Sequence, residues 1–438
     1  MFDLPKYGDG VCLTRLAALL DTLAVDRARL SRISVVVTGS NGKGSTAAFC
    51  AGIGRAYGLR TGLFTSPHLY RVNERCQVDG ADIGDDDLAR LVSRVEAAIA
   101  DISQASGENF GAFEALFALA CLHFQERNCD FAVFEAGIGG RYDPVRLIGA
   151  LVTCVTSVDY EHVELLGHSL ELIASDKSDA CAAGGVIVYG ENCQSLRPHL
   201  LQYNRTRGVT SLFVRGEIAI GGESVSTSGQ RFDFQYRDQD FRALDIGLRG
   251  VFQFSNAAIA VALFLLWLQR VRPGAPSAGV EAAVRTGLRD TRWPGRLEMI
   301  QQDPLTVIDV GHTPDAIRQS LASLKAIYGA EDWILVTGAS LDKRASEITG
   351  ALAPSFDTII CTAAHHKGAE AESIAAAASK ANPRADVQIA ATIAEAVGLS
   401  RRLAAALHRK IYVAGGLFLA IEYAVATKGG RAQDLKFF

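Results

Sequence analysis

Residues 38–45, Thr38-Gly39-Ser40-Asn41-Gly42-Lys43-Gly44-Ser45, follow the apolar run Val35-Val36-Val37 and precede a stretch of helical character. That order puts a glycine-rich turn between a buried parallel strand and a helix N-terminus, where backbone N–H groups and the positive end of the helix dipole attract an anion. The chemistry is phosphate binding. Gly39, Gly42 and Gly44 let the backbone approach, Asn41 belongs to the same nucleotide-binding loop, Lys43 reaches terminal phosphates, and Ser45 or Thr46 offers a hydroxyl oxygen to Mg2+. Gly44 stands between Lys43 and the hydroxyl residue, so the loop departs from the standard P-loop pattern.

Further groups suited to the same chemistry recur downstream, each after an apolar run. Ser66 opens a polar loop that also holds His68, Arg71 and Arg75; the serine suits Mg2+ and the arginines suit phosphate or carboxylate. Glu135 ends the run Phe131-Ala132-Val133-Phe134, where an unpaired charge would be costly, and is expected to hold Mg2+ or orient its water. Asp143 either joins that site or closes a turn. His162 suits a second metal through its neutral imidazole. Lys177, beside Asp176 and Asp179, reads as a solvated charge cluster. Arg296 lies at a hinge where it could meet phosphate or nucleotide, and Asp309 and His312 follow another buried strand on the side expected to face it. Asp342, Lys343 and Arg344 are expected to add charge to the same cleft.

To position these groups the chain must alternate strands and helices. A helix over 11–30 is followed by the strand at the phosphate loop, a helix over 47–57 and, over 58–64, a turn into a second short strand. Helices over 86–100 and 110–126 come next, the latter with Glu114 turned to solvent. Strands ending at Glu135 and spanning 151–158, a helix over 169–182 and a strand over 184–190 complete a parallel sheet. Short β-branched and aromatic runs at 209–214, 217–220, 232–236 and 244–248 predict antiparallel hairpins in a small β subdomain over 200–250. A buried helix over 256–269 and another over 280–288 lead to a boundary at 294. Beyond it, strands at 297–300, 305–309, 332–337, 357–362, 386–388 and 410–414 alternate with helices at 315–326, 344–352 and 369–378. The expected fold is a P-loop parallel-sheet ATPase domain over 1–294, carrying the small antiparallel sheet, then a smaller doubly wound α/β domain over 295–438.

A chain of 438 residues with 49% hydrophobic content has ample material for two cores. A net charge of −4 provides no global field for nucleic acid or an anionic membrane. Nine scattered cysteines without zinc spacing suit buried thiols in a reducing compartment. The first residues lack a secretory pattern and the apolar run at 257–268 falls short of a membrane span, so a cytoplasmic location is expected.

Taken in order, the motifs resemble those of the folylpolyglutamate synthase and dihydrofolate synthase family, within the Mur ligase superfamily. The likeness runs from the loop at 38–45 through Thr65-Ser66-Pro67-His68-Leu69 with Arg71, Glu74 and Arg75, then residues 135–143 and 162–167. It continues through Gln253 and Asn256, Trp293-Pro294-Gly295-Arg296, Asp309 to Pro314 and residues 415–418. The resemblance implies an ATP-dependent amide ligase: a substrate carboxylate attacks the γ-phosphate of ATP, and an amino acid, glutamate in the family, attacks the resulting acyl phosphate. It implies phosphate and first-Mg2+ roles for Lys43, Ser45, Ser66 and Glu135, a second Mg2+ at His162, and a CO2-derived carbamate on Lys177. Asn256 and Arg296 match nucleotide contacts, and Asp309 and His312 match second-domain groups near nucleotide and phosphate.

The departures fall on the substrate side, where His68, Arg71, Arg75, Arg141, Asp143, Arg146 and Thr313 are expected. Where the family reads Gly-Gly-Arg-Leu-Asp-Ala-Thr-Asn, this chain has Gly139-Gly140-Arg141-Tyr142-Asp143-Pro144-Val145-Arg146. Its Ala-His-Asn-Pro becomes Gly311-His312-Thr313-Pro314. Two enzymatic readings stand at this stage: glutamate added to dihydropteroate or a folate, or the same chemistry on another carboxylic acid or amino acid. A non-catalytic ATP-binding protein is a third. The partners expected are small-molecule acid and amino-acid substrates, with no nucleic acid or membrane, and the protein is expected to act as a monomer.

Overall fold

The structure is a computed structural model that describes residues 4, 8–10, 12–274, 277–341 and 345–437. Asp342, Lys343 and Arg344 lie outside the described residues.

The first sheet has eight strands: β1 (Ser34–Thr38), β2 (Thr61–Phe64), β3 (Cys76–Val78), β4 (Ala81–Asp82), β5 (Phe131–Glu135), β6 (Val152–Val155), β7 (Val186–Tyr189) and β8 (Thr210–Phe213). Their order is β4-β3-β2-β5-β1-β6-β7-β8, with all pairs from β2 to β8 parallel and β3 and β4 antiparallel. The alternation of side chains decides the layering. Val35, Val37 and Val133 face the helices Lys43–Ala56 and Gln253–Val271, while Val36, Ala132 and Phe134 face Leu13–Thr22, Asp85–Ser106 and Ala112–Glu126.

After β1 the chain builds β2 and β5 to one side, then β6, β7 and β8 to the other. A crevice therefore opens at the carboxyl ends of β1, β5 and β6, the usual place for a ligand in such a sheet.

Four expectations are corrected. The helix expected over 11–30 is two, Leu13–Thr22 and Arg27–Ile33, because Ala24 takes a left-handed φ of 55° and Asp26 caps the second helix through the Arg29 N–H. Glu114 is buried rather than solvated. It pairs with Arg15 at 2.8 Å and accepts the Gly111 N–H, a partnership across 99 residues that periodicity does not encode. The run at 209–214 is not part of a hairpin but the parallel edge strand β8, and the small antiparallel sheet comprises β9 (Ala219–Val225), β10 (Gln230–Tyr236) and β11 (Gln239–Ile246). The apolar helix extends over Gln253–Val271, long and apolar enough to cross a membrane, but most of it is buried against the first sheet, β10 and the helix Lys43–Ala56. It is a core helix.

The second sheet contains β12 (Glu298–Gln302), β13 (Leu305–Asp309), β14 (Trp333–Thr337), β15 (Thr358–Cys361), β16 (Asp386–Ile389) and β17 (Lys410–Ala414), ordered β12-β13-β17-β14-β15-β16, with only β12 antiparallel. Pro314–Tyr328, Ala345–Leu352 and Ala371–Ala381 cover one face, and Ile393–Leu407 and Leu417–Thr427 the other. This is the smaller doubly wound domain, and β13 brings its carboxyl end to the cleft.

Candidate active site

The phosphate loop is held by its neighbour in the sheet. At the end of β6, the Thr156 hydroxyl donates to the Asn41 carbonyl at 2.6 Å, and the Ser157 hydroxyl accepts the Asn41 N–H at 2.8 Å. Gly42 caps the following helix at a φ of 87°, and a Cβ there would stand 2.4 Å from the Asn256 Oδ1, so both conformation and space require glycine. The Lys43 ammonium donates to the Gly39 carbonyl at 2.7 Å and the Ser40 carbonyl at 3.2 Å, which holds its charge over the loop. Ser45 is buried, with its hydroxyl 3.3 Å from the Gln253 amide, and Gln253 in turn accepts from Asn256 at 2.9 Å.

Glu135, at the end of β5, is buried and accepts the Ser66 N–H at 3.0 Å. Burial raises its pKa, opposed by the Lys43 cation, that N–H, and the Arg296 and Arg75 cations. A carboxylate so placed favours positive charge beside it. Behind the same loop, His68 is buried with its pKa pushed down to about 4, first by burial and then by the Arg75 cation.

One cleft of about 1080 Å3 joins these groups. Asn41, Gly42, Lys43, Gly44, Ser45, Ser66, Arg75, Glu135, Asp143, His162, Asn256, Arg296, Asp309 and His312 all line it. The second domain thus forms its far wall. Beyond Glu135 the cleft continues along an apolar side that includes Leu16, Phe113, Leu116 and Leu166.

Several expected substrate residues are engaged elsewhere. Arg71 is exposed and pairs with Asp85 at 2.8 Å, at the start of the helix Asp85–Ser106. Arg141 is drawn to Asp179 at 2.7 Å and to the Tyr203 hydroxyl. Arg146 is exposed and donates to the Arg141 carbonyl. Asp143 reaches the cleft, but its carboxylate accepts the N–H groups of Gly137, Ile138 and Val145; burial nonetheless pushes its pKa up to about 6. Of its two readings, turn closure is what these bonds do. Thr313 caps the helix Pro314–Tyr328 and donates to the Asn41 side chain at 3.3 Å, so it bridges the domains at the phosphate loop.

Lys177 is no solvated charge. It is almost fully buried and donates to Glu161 at 2.7 Å. Burial alone would raise the Glu161 carboxyl, but the Lys177 cation overrides it and holds the value at about 2. Burial also lowers the proton affinity of Lys177, against Glu161. His162, next in the chain, takes a left-handed φ of 44° and lines the cleft.

The family model for the Mur ligase middle domain matches residues 37–264, and that for the Mur ligase, glutamate ligase domain matches residues 295–416. A folylpolyglutamate synthase of Lacticaseibacillus casei is 33% identical over 325 residues, 74% of each chain. A solved folylpolyglutamate synthase of Mycobacterium tuberculosis, complexed with ADP and AMPPCP, superposes with a TM-score of 0.85 at 27% identity, covering 96% of this chain and 95% of that one. An FPGS–AMPPCP–folate complex superposes with a TM-score of 0.83 at 28% identity, covering 97% of each chain. The chain belongs to the folylpolyglutamate synthase family of the Mur ligase superfamily.

The solved relatives carry ADP or AMPPCP, and the chemistry of this cleft can be set against nucleotide phosphate and a hard cation. The buried Asn41 Nδ2 has no hydrogen-bond partner among the described residues, a donor at the loop that suits a phosphate oxygen. Ser45, Ser66 and Glu135 form an all-oxygen donor set suited to Mg2+. An ammonium at Lys177 is not a ligand, so a metal role there needs the amine converted to an anion. No group of three or more His, Cys, Asp or Glu side chains is gathered for a metal among the described residues.

Sequence reasoning missed four participants. Gln253 and the Thr156-Ser157 brace lay within legible motifs, the latter directly after β6. Glu161 stands directly before His162, but nothing in the sequence marked it as the partner of Lys177. The tail residues Lys436 and Phe437 carried no signal in the sequence, yet Phe437 lines the cleft.

Proposed function

We propose that the protein joins glutamate to the carboxylate of dihydropteroate or a folate in an ATP-dependent ligation. The observation that carries this is the single cleft, in which the phosphate loop, a buried carboxylate, the second domain's Arg296 and His312 and an apolar wall share one space.

The acid's carboxylate oxygen attacks the γ-phosphorus of ATP, ADP leaves, and the amino group of glutamate then displaces phosphate from the acyl carbon. Lys43 and the first-turn N–H groups neutralise charge on the transferring phosphoryl group. Arg75 and Arg296 add cations from the two domains, and burial leaves Arg75 charged at neutral pH, its pKa lowered only to about 10. Ser45, Ser66 and Glu135 would hold Mg2+, which supplies charge for the phosphates; His162 would hold a second ion. The apolar wall at Leu16, Phe113 and Leu116 suits a flat, weakly polar ring system. Closing one domain over the other keeps water from the acyl phosphate.

Of the departures that motivated a different acid, Arg146 and Thr313 lie outside the cleft wall, whereas Tyr142, Pro144 and Gly311 line it. The folate reading takes precedence on the relatives, which are folylpolyglutamate synthases matched over most of this chain. A carbamate on the buried Lys177, beside Glu161 and His162, is part of the proposal, as are a monomeric state and a reducing, cytoplasmic setting, in keeping with nine free cysteines. Intact-mass measurement in bicarbonate buffer, with Lys177→Ala as the control, tests the carbamate.

The direct test mixes purified protein with ATP, Mg2+, glutamate and either dihydropteroate or tetrahydrofolate, and looks by mass for the new amide. Product with either acid supports the reading. Product only with unrelated acids moves the assignment to another substrate, and no ligation under any condition rejects it.

A further inference from the structure

The loop that carries Ser66 is tied to the far end of the chain. His68 Nε2 lies 2.7 Å from the Lys436 carbonyl, and its Nδ1 lies 2.9 Å from the Arg75 Nε. A carbonyl only accepts and a guanidinium N–H only donates, so the ring carries its hydrogen on Nε2 and accepts on Nδ1. This neutral tautomer alone satisfies both partners. Arg75, the recipient of that order, is buried and lines the cleft close enough to Glu135 for the two charges to act on each other.

The tail is held on a seat built from both domains. Phe437 stacks on His68 with centroids 5.7 Å apart and planes 6° from parallel. From the second domain, His366 and Phe418 meet the same ring edge-on, each at 4.9 Å. That second-domain side is itself rigid. The fully buried Glu422 accepts the N–H groups of His365 and His366 and pairs with His366 Nδ1 at 2.8 Å. Leu435 is buried in the core of the second domain, against which Leu69 and Tyr70 of the first also pack.

We propose that Lys436 and Phe437 act as a positioning element of the ligase site: the tail locks the His68 ring, His68 fixes the Arg75 guanidinium in the cleft, and the lock forms only when both domains contribute to the seat of Phe437. Arg75 is the group that touches substrate; His68 and the tail act through it. The inference rests on the anion-binding role assigned to Arg75 above. It explains why a buried histidine next to a phosphate-handling loop contacts a residue 368 positions away rather than the cleft.

The test compares His68→Leu, His68→Gln, Phe437→Ala, Phe437→Tyr and Arg75→Ala in the full chain, singly and in pairs with Arg75→Ala. We expect His68→Leu and Phe437→Ala to lower kcat about tenfold while the KM for ATP stays within about twofold, because the phosphate loop is untouched. Combined with Arg75→Ala, neither should cost more than Arg75→Ala alone. His68→Gln keeps one donor and one acceptor, and Phe437→Tyr keeps the stack, so both should recover most of the rate. Wild-type rates in His68→Leu and Phe437→Ala overturn the proposal, as do losses that add fully to that of Arg75→Ala. If the wild type makes no amide, the functional reading has failed and nitrogen NMR of His68 decides the inference separately. A single Nε2-protonated tautomer that is lost in Phe437→Ala upholds the lock; the same signature in both proteins removes it.

Discussion

The two sheets end at the same cleft with the same local pattern, a buried strand closing on an acidic residue, and use it in opposite ways. At the end of β5, Glu135 accepts one backbone N–H and faces Lys43, Arg75 and Arg296. At the end of β13, Asp309 spends one oxygen on the Leu297 N–H and the other on the Gly311 N–H, at 3.0 and 2.9 Å. Burial raises the pKa of both carboxyls. The difference lies in how many oxygens are committed: Glu135 engages one with a backbone N–H, whereas Asp309 engages both and so pins the interdomain linker to the loop that carries His312. The first rim is built to bind charge, and the second to hold shape and deliver Arg296 and His312.

The comparison can be broken by substitution. Lys43→Ala should have the largest effect, lowering acid-dependent ADP release about 1000-fold, since it removes a cation from the phosphoryl clamp; turnover near wild type would show that the first rim is not where charge is handled. Glu135→Gln should lower kcat roughly 100-fold. Its thermal midpoint in Mg2+-free buffer should hold or rise, because a costly buried charge has been replaced by a neutral amide.

Asp309→Asn should show the reverse profile. The amide nitrogen cannot accept the N–H that an oxygen accepted, so denaturant titration should show a loss of about 1–3 kcal/mol, with kcat falling less than about tenfold if positioning is its role. A catalytic loss equal to that of Glu135→Gln, without any loss of stability, would make the two rims equivalent. The smallest effect belongs to Arg146→Asn. Exposed and bonded only to a neighbouring carbonyl, it should change stability by no more than about 0.5 kcal/mol and leave the acid and amino-acid preference unaltered. A changed preference panel would return Arg146 to the substrate side.

Much of the first rim was legible because its parts are local. The glycines of the phosphate loop, the helix that begins at Lys43 and the apolar run before Glu135 are each encoded within a dozen residues, and hydrophobic alternation and turn chemistry report on that range. The second domain's strands were readable for the same reason. The substrate side was not. Arg71 and Arg141 occupy loops and Arg146 the 3-10 turn Pro144–Ile148, but what a guanidinium does depends on which carboxylate comes within reach, here Asp85 and Asp179, or on a neighbouring carbonyl for Arg146. Lys177 looked solvated because Asp176 and Asp179 flank it, yet folding directs those two to backbone and arginine partners and brings Glu161 to the lysine.

By itself, then, the sequence determined two α/β domains, a glycine-rich loop of phosphate-binding pattern after the first strand and membership of a ligase family, since each rests on short-range pattern and ordered motifs. Only the tertiary structure decided that β8 joins the large sheet, that Arg15 meets Glu114, and that His68 meets the Lys436 carbonyl. Those contacts join residues distant in sequence. They form because burial leaves polar groups no water to bond, so each must find a partner wherever the fold places one.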